Sequence, residues 1–277
     1  MAPLPHAISR LAARDLDACL ELAADRRWEP ERRKWALLFE VGEVYGIRDP
    51  SGGLAGSVTL TRYGGDLAVV SMMLVASRFG GRGLGRRLMT HVLARAGDAT
   101  VFLYATPMGR PLYEKLGFRA VSAVTTGIGR FTGRPSGGTR PAKAADRTAI
   151  LALDAAATGA DRSDLLTRYF RLAEQLRVIE RDGAVRGFAA AAGTADRVVV
   201  GPLVAPDLDA ARTLIADVAS AIDAPVRLDL DERHGLCDWA RARGVAPANR
   251  TWVMVHGERE LPGARERLVL PVMQALG

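Results

Sequence analysis

The sequence predicts a mixed α/β fold whose unit is written twice, and three observations carry that prediction. Apolar runs of strand length alternate with amphipathic stretches of helix length. The order of these elements in the first half returns in the second. Between the halves lies "TGRPSGGTRPA", residues 132–142, rich in Gly, Pro, Ser and Thr and without an apolar period. With 277 residues, 48% of them hydrophobic, the chain can build two ordinary cores.

In the first half, helices are expected at about residues 14–26 and 30–40, where apolar side chains recur at three- and four-residue intervals. The runs "VYGIR", "GLAGSVTLTRY" and "LAVVSMMLV" are rich in β-branched or aromatic residues, are separated by Gly- and Asp-containing turns, and read as strands. Leu84, Leu88, Met89, Val92 and Leu93 then share one helical face. A strand "VFLYA", a short helix around "PLYEKLG" and a strand "AVSAVTTGI" complete the order α-α-β-β-β-α-β-α-β.

The second half reads the same way. Helices near 146–157 and 162–174 precede strands "RVIERD", "RGFAAAAG" and "RVVVGPLV". A helix from Leu208 to Ile222, a strand "VRLDL", a helix around "GLCDWARARG" and a strand "TWVMVHG" follow. The spacing agrees as well: Val75 to Phe118 is 43 residues, and Val204 to Val245 is 41. The expected boundaries are a first domain at 1–134, a linker at 135–142 and a second domain at 143–277.

The formal net charge is +7, and nearly all the positive charge is arginine. Cut at Thr139, the first part holds 19 basic and 12 acidic side chains and the second 19 and 19, which add to the 38 and 31 of the whole chain. An anionic ligand is therefore expected in the first part. No specific nucleic acid is expected, because basic residues are not interleaved with aromatic platforms. No apolar run approaches the roughly 18 to 20 residues of a membrane helix, and "MAPLPHAISRLAARD" has no basic stretch ahead of an apolar core. No membrane association and a cytoplasmic location are expected. Cys19 and Cys237 lack CxxC spacing, and His6, His91, His234 and His256 show no HExxH pairing, so no metal is expected.

"RFGGRGLGRRLM", residues 78–89, stands between the strand that ends at Val75 and a helix that begins near Gly83. Such a turn aims unpaired backbone N–H groups at one spot, at the positive end of a helix dipole. Glycine lets a ligand come close, and Arg82, Arg86 and Arg87 add charge suited to phosphate. Arg86 breaks the GxGxxG fingerprint, and no Lys-Ser or Lys-Thr pair completes a Walker loop. Two readings remain, a pyrophosphate cradle or a turn whose glycines serve only positive φ. The matching stretch of the second half is "APDLDAAR", whose Asp207 and Asp209 suit capping and repel anions.

Taken together, "MMLVASRFGGRGLGRRLM" and "PLYEKLGF" resemble the GNAT superfamily of acyl-CoA-dependent N-acyltransferases, whose first motif runs L-x-V-x-x-x-x-R/Q-G-x-G-x-G/A. Through "GADRSDLL", "VVGPLVAP" and "RLDLDE" the whole layout resembles tandem-GNAT proteins whose divergent second half is a YitH-type acetyltransferase domain. Aligned on "GRGLG", the family's usual Arg or Gln falls on Gly80, and Arg78 or Arg82 would supply its charge.

The resemblance implies two tandem GNAT-like domains, each a mixed, mostly antiparallel twisted sheet flanked by helices, with one splayed strand pair. It implies acetyl-CoA as cosubstrate, held by the backbone of Leu74 and Val75 and by Gly80, Gly81, Arg82, Gly83, Leu84, Gly85 and Arg86. The acetyl group would pass to a primary amine of a small-molecule or peptide acceptor by direct attack in a ternary complex. Tyr113 matches the acid that protonates the departing CoA thiolate, a position that also suits a core tyrosine. The general base is open: "VVSMMLV" has no carboxylate where relatives often carry glutamate, which leaves Glu40, Glu43, Asp66 or a water. Tyr104 would line the acceptor cleft or equally be a buried strand aromatic, and Met72 and Met73 are core or pocket wall. Asp161 with Arg162, and Asp229 with Asp231, would select a cationic amine if they faced the cleft; capping and surface ion pairs explain them equally. The other function these features allow is a non-catalytic acyl-CoA-binding or regulatory module. The chain is expected to be a monomer or a homodimer.

Overall fold

The apolar runs of both halves join one thirteen-stranded sheet. The computed structural model describes residues 7–277, and His6 with the five residues before it lies outside the described residues. Strand β1 (Ile8–Arg10) pairs with β2 (Glu43–Arg48), and α1 (Leu16–Asp25) and α2 (Arg32–Val41) run between them. Cys19, Leu22, Trp35 and Leu38 turn inward from these helices into one apolar core. Strands β2, β3 (Leu54–Tyr63) and β4 (Leu67–Val75) form an antiparallel meander. Helix α3 (Leu84–Ala96) crosses over to β5 (Thr100–Ala105), which is parallel to β4 as a helical crossover allows. A single turn, α4 (Arg110–Glu114), and the long strand β6 (Phe118–Gly129) follow.

The second run repeats this order: β7 (Arg140–Pro141), α5 (Arg147–Thr158), α6 (Ser163–Tyr169), β8 (Gln175–Arg181), β9 (Ala184–Gly193) and β10 (Val198–Val204). It continues with α7 (Leu208–Ala219), β11 (Val226–Asp231), α8 (Cys237–Arg241) and β12 (Ala246–His256), then adds β13 (Leu268–Leu270). The short strands β1, β7 and β13 were not expected, since two or three residues carry no readable period. Helix α6 stops earlier than the expected residue 174, because Glu174 already donates its N–H to Ala191 on β9 (2.8 Å).

The sheet runs β1-β2-β3-β4-β5-β12-β6-β11-β10-β9-β8-β7, with β13 beside β10. Each half therefore lends its long final strand to the other. Strand β12 lies between β5 (Trp252 opposite Ala105) and β6 (Thr251 opposite Val124), while β6 lies against β11 (Thr126 opposite Asp229).

Two parallel pairs break the antiparallel pattern, and both open like a V. The β4–β5 ladder holds only from Leu67 to Val69 against Thr100 to Phe102, after which β5 follows β12 and β4 stays with β3. The β10–β11 ladder likewise holds from Val198 to Val200 against Val226 to Leu228. Here β13 fills the opening, Leu270 opposite Leu203 and Leu268 opposite Val204. The first V is open and the second is closed by the chain itself.

Candidate active site

Beyond Val69 the main chain of β4 has lost its partner on the β5 side. A one-residue bulge interrupts the ladder with β3, because Thr59 faces Ser71 whereas Ser57 faces Leu74. Met72 sits at the bulge with φ +48°, and Ser57 Oγ donates to its carbonyl (3.1 Å). Ala76 donates to the Ala55 carbonyl (2.9 Å), which sets the alternation that follows: Leu74 turns its N–H and C=O toward β3, and Val75 turns its own into the gap. Of the two residues expected to offer main chain to a pantetheine, Val75 is so placed. Leu74 is a wall residue instead.

The groove made by this splay has a volume of about 500 Å³. Met73, Leu74 and Val75 form one wall, Leu103 and Tyr104 the other, with Leu112 and Tyr113 at the side and Gly80 at one end. Tyr113 is buried against Phe118, ring centroids 5.9 Å apart, and burial pushes its phenol up to about 12. Its hydroxyl thus stays protonated, and a donor, at neutral pH.

At the end of β4, Gly81 and Gly83 take φ of +72° and +75°, which L side chains rarely adopt. Gly85 serves a different need: a Cβ there would come within 3.1 Å of Leu112 Cδ2, so glycine lets α3 press against α4. The Gly80 N–H donates to Ser77 (3.2 Å), so this amide, expected to meet the cofactor, is occupied. Among the described residues, the N–H groups of Gly81, Arg82, Gly83, Leu84, Gly85 and Arg86 have no protein acceptor, and the first helical bond is Arg87 to Gly83 (3.1 Å). Six successive donors at a helix N-terminus therefore face outward. Arg78 is ion-paired with the buried Asp49, while Arg82 has no carboxylate partner among the described residues and lies over Phe79 at 5.4 Å. Ser77 ties the loop to α1 by donating its N–H and Oγ to Asp25 (2.6 and 2.7 Å).

A second cavity of about 520 Å³ opens from the inner end of the groove and shares Ser71, Met72, Tyr104 and Thr106 with it. It is lined by Arg26, Arg27 and Glu29 from the segment after α1 and by Arg197, Arg227 and Gln274 from the second half, with Arg197 meeting Glu29 at 3.5 Å. Ser71 Oγ, at the junction, is buried and has no hydrogen-bond partner among the described residues. Glu29 pairs with Arg197 (3.5 Å) yet is held above the usual carboxylate range, first by partial desolvation and then by the neighbouring charges of Asp196 and Glu31, against the pull of Arg197.

Two stretches of the chain, 46–129 and 150–269, each match a family model described as an acetyltransferase (GNAT) domain. The chain belongs to the GNAT acetyltransferases. It carries two such domains in tandem and is an enzyme of the N-acetyltransferase kind. Over 276 residues, 97% of both chains, it is 26% identical to the uncharacterized N-acetyltransferase YitH of Bacillus subtilis (strain 168). In fold it is similar to a protein of Pyrococcus horikoshii assigned as an acetyltransferase, with TM-score 0.81 and 18% identity over 100% of this chain and 98% of the other. It is also similar to a tandem GNAT protein from the clavulanic acid biosynthesis pathway, with TM-score 0.63 and 16% identity over 92% and 99%.

Several polar residues singled out in the sequence lie apart from the cavities of this GNAT acetyltransferase. Glu40 pairs with Arg168 (3.2 Å), Glu43 accepts from Tyr45 and Arg62, and Asp66 contributes its main-chain carbonyl to Thr100. His91 meets Tyr45 edge to face with centroids 4.7 Å apart, and burial with the charge of Arg95 lowers its pKa. Asp161 receives the Ser163 N–H ahead of α6 (2.8 Å), and Arg162 is buried on Asp154 (2.7 Å). Asp229 lies behind the lining of the second cavity and is saturated by Thr126 (2.6 Å), Arg227 and Gln274 (2.9 Å). Asp231 accepts from Ser122 (3.0 Å) and Arg233. Asp229 and Asp231 are each already paired with an arginine, so neither is free to bind an ammonium group. Glu29 and the Arg26–Arg27 pair were missed, since a helix end and the loop after it carry no motif. Among the described residues no group of three or more His, Cys, Asp and Glu could hold a metal ion.

Proposed function

We propose that this enzyme transfers an acetyl group from acetyl-CoA to a primary amine by direct attack within a ternary complex. The observation that carries the reading is the conjunction of an open V beside Val75 with six unpaired amides at its outer end. A pyrophosphate would sit on the amides of residues 81–86 with Arg82 and Arg86 nearby, and a pantetheine would lie along β4 and pair with Val75. The thioester would then reach the junction at Ser71, where main-chain donors stabilise charge on its oxygen. The amine enters from the second cavity, Glu29 receives its proton through water, and Tyr113 donates a proton to the leaving thiolate.

In the same reading residues 1–134 form the catalytic domain and 135–142 the linker, and residues 143–277 form a degenerate copy that shapes the acceptor cavity. Two features support the last point: β13 occupies the second V, and Asp207 caps α7 by accepting the Ala210 N–H (2.8 Å) where the first copy leaves its amides open. Replacing Gly83 by Asp should weaken CoA binding by about 100-fold or more, since it adds a carboxylate at a position of positive φ facing the diphosphate. Calorimetry that found CoA affinity unchanged in Gly83→Asp would remove the basis of this reading.

A further inference from the structure

We propose that the acceptor carries, besides its amine, an anionic group, a carboxylate or a phosphate, that docks on Arg26 and Arg27. This rests on the reading of the second cavity as the acceptor site. Most cations on that cavity's walls are already neutralised: Lys34 by Glu31 (2.6 Å), Arg197 by Asp196, Arg227 by Asp229 (3.0 Å) and Arg250 by Glu232 (2.7 Å). Arg26 and Arg27 are the exceptions. Among the described residues neither has a carboxylate partner, and the Arg26 guanidinium reaches only the Met108 thioether (3.3 Å).

The backbone at Arg27 adds a second, independent observation. Helix α1 ends with Trp28 N–H donating to Ala23 and Arg27 N–H donating to Ala24 (both 2.9 Å), the paired bonds of a Schellman turn. That turn places Arg27 at φ +57°, where glycine is the unstrained choice. The chain holds an arginine in a conformation that disfavours it, and its side chain lines the cavity. A guanidinium fork suits the two oxygens of a carboxylate or phosphate, and the junction with the thioester groove lies along the same wall.

The test uses the full chain with acetyl-CoA and matched acceptor pairs: β-alanine against β-alaninamide, and O-phosphoethanolamine against ethanolamine. Turnover is read as CoA thiol release, and acceptor binding to the CoA complex as a shift in melting temperature. In at least one pair the anionic member should be preferred by about tenfold or more in kcat/KM or in binding, and Arg27→Gly should bring that ratio to about one. The carboxylate and phosphate arms tell the two anions apart. Because glycine relieves the positive φ, Arg27→Gly should melt no lower than the parent. Absence of charge preference in both pairs, by turnover and by binding, overturns the proposal. So does an Arg27→Gly variant that melts lower and keeps the preference, since Arg27 would then be structural. Failure of CoA itself to bind would strike the groove reading instead.

Discussion

Tyr113 shows how one side chain acquires a chemical role from its surroundings. A phenol at the surface titrates near 10, whereas burial in the groove wall pushes this one up to about 12, so it stays a proton donor across any practical assay range. Tyr113→Phe should lower kcat by about 100-fold and leave the CoA dissociation constant unchanged, as steady-state kinetics and calorimetry would show. No loss of rate below about pH 11 should be traceable to its ionisation. Glu29 behaves in the opposite sense. Burial and neighbouring carboxylates raise its pKa, and a base must be ionised, so its limb in the pH profile of kcat/KM should lie above the ordinary glutamate value of about 4.3, with rate lost as pH falls through it. Glu29→Gln should abolish that limb and reduce kcat; an unaltered profile would exclude it as the base.

Among the elements, the segment before β7 is composed like a flexible linker yet is fastened. Asp217 on α7 accepts from Ser136 Oγ (2.8 Å), Gly137 N (3.1 Å), Thr139 N (3.0 Å) and Thr139 Oγ1 (2.7 Å). Burial would raise its pKa, but the bonds from Thr139, Ser136 and Gly137 outweigh burial and hold it below the usual carboxylate range. The stability it contributes is therefore present above the unfolded pKa of about 3.9 and lost as pH falls through the lower folded value. Asp217→Asn should destabilise the protein by about 2 to 3 kcal/mol and remove that acid-dependent component, both measurable by urea titration at pH 7 and pH 3. Composition alone could not show this clamp, because its acceptor lies nearly eighty residues further along the chain.

For the whole molecule, the exchange of β6 and β12 makes the two halves one cooperative body. Without β12, β5 and β6 would each present an unpaired edge, and without β6 the same would hold for β11 and β12. Residues 1–142 or 143–277 expressed singly should therefore aggregate, coexpression should restore a soluble complex, and the intact chain should unfold in a single calorimetric transition. Two resolved transitions would show instead that the halves are independent. The second cavity takes Arg26, Arg27 and Glu29 from the first half and Arg197, Arg227 and Gln274 from the second, and Arg197 meets Glu29 at 3.5 Å. This cavity is thus composite, built from both halves of the chain.

The element order, the internal repeat, the glycine turn and the position of Tyr113 were all legible in the residues. Each is written in a local signal: period, turn chemistry, or a motif within some forty residues of chain. Which strands are neighbours, which V stays open, that Leu74 faces β3 while Val75 faces the gap, and that Asp229 is saturated were decided only by the folded molecule. Pairing, register and hydrogen-bond saturation depend on contacts between residues well separated in the chain, from Ala55 with Ala76 to Thr126 with Asp229, and no local pattern records them.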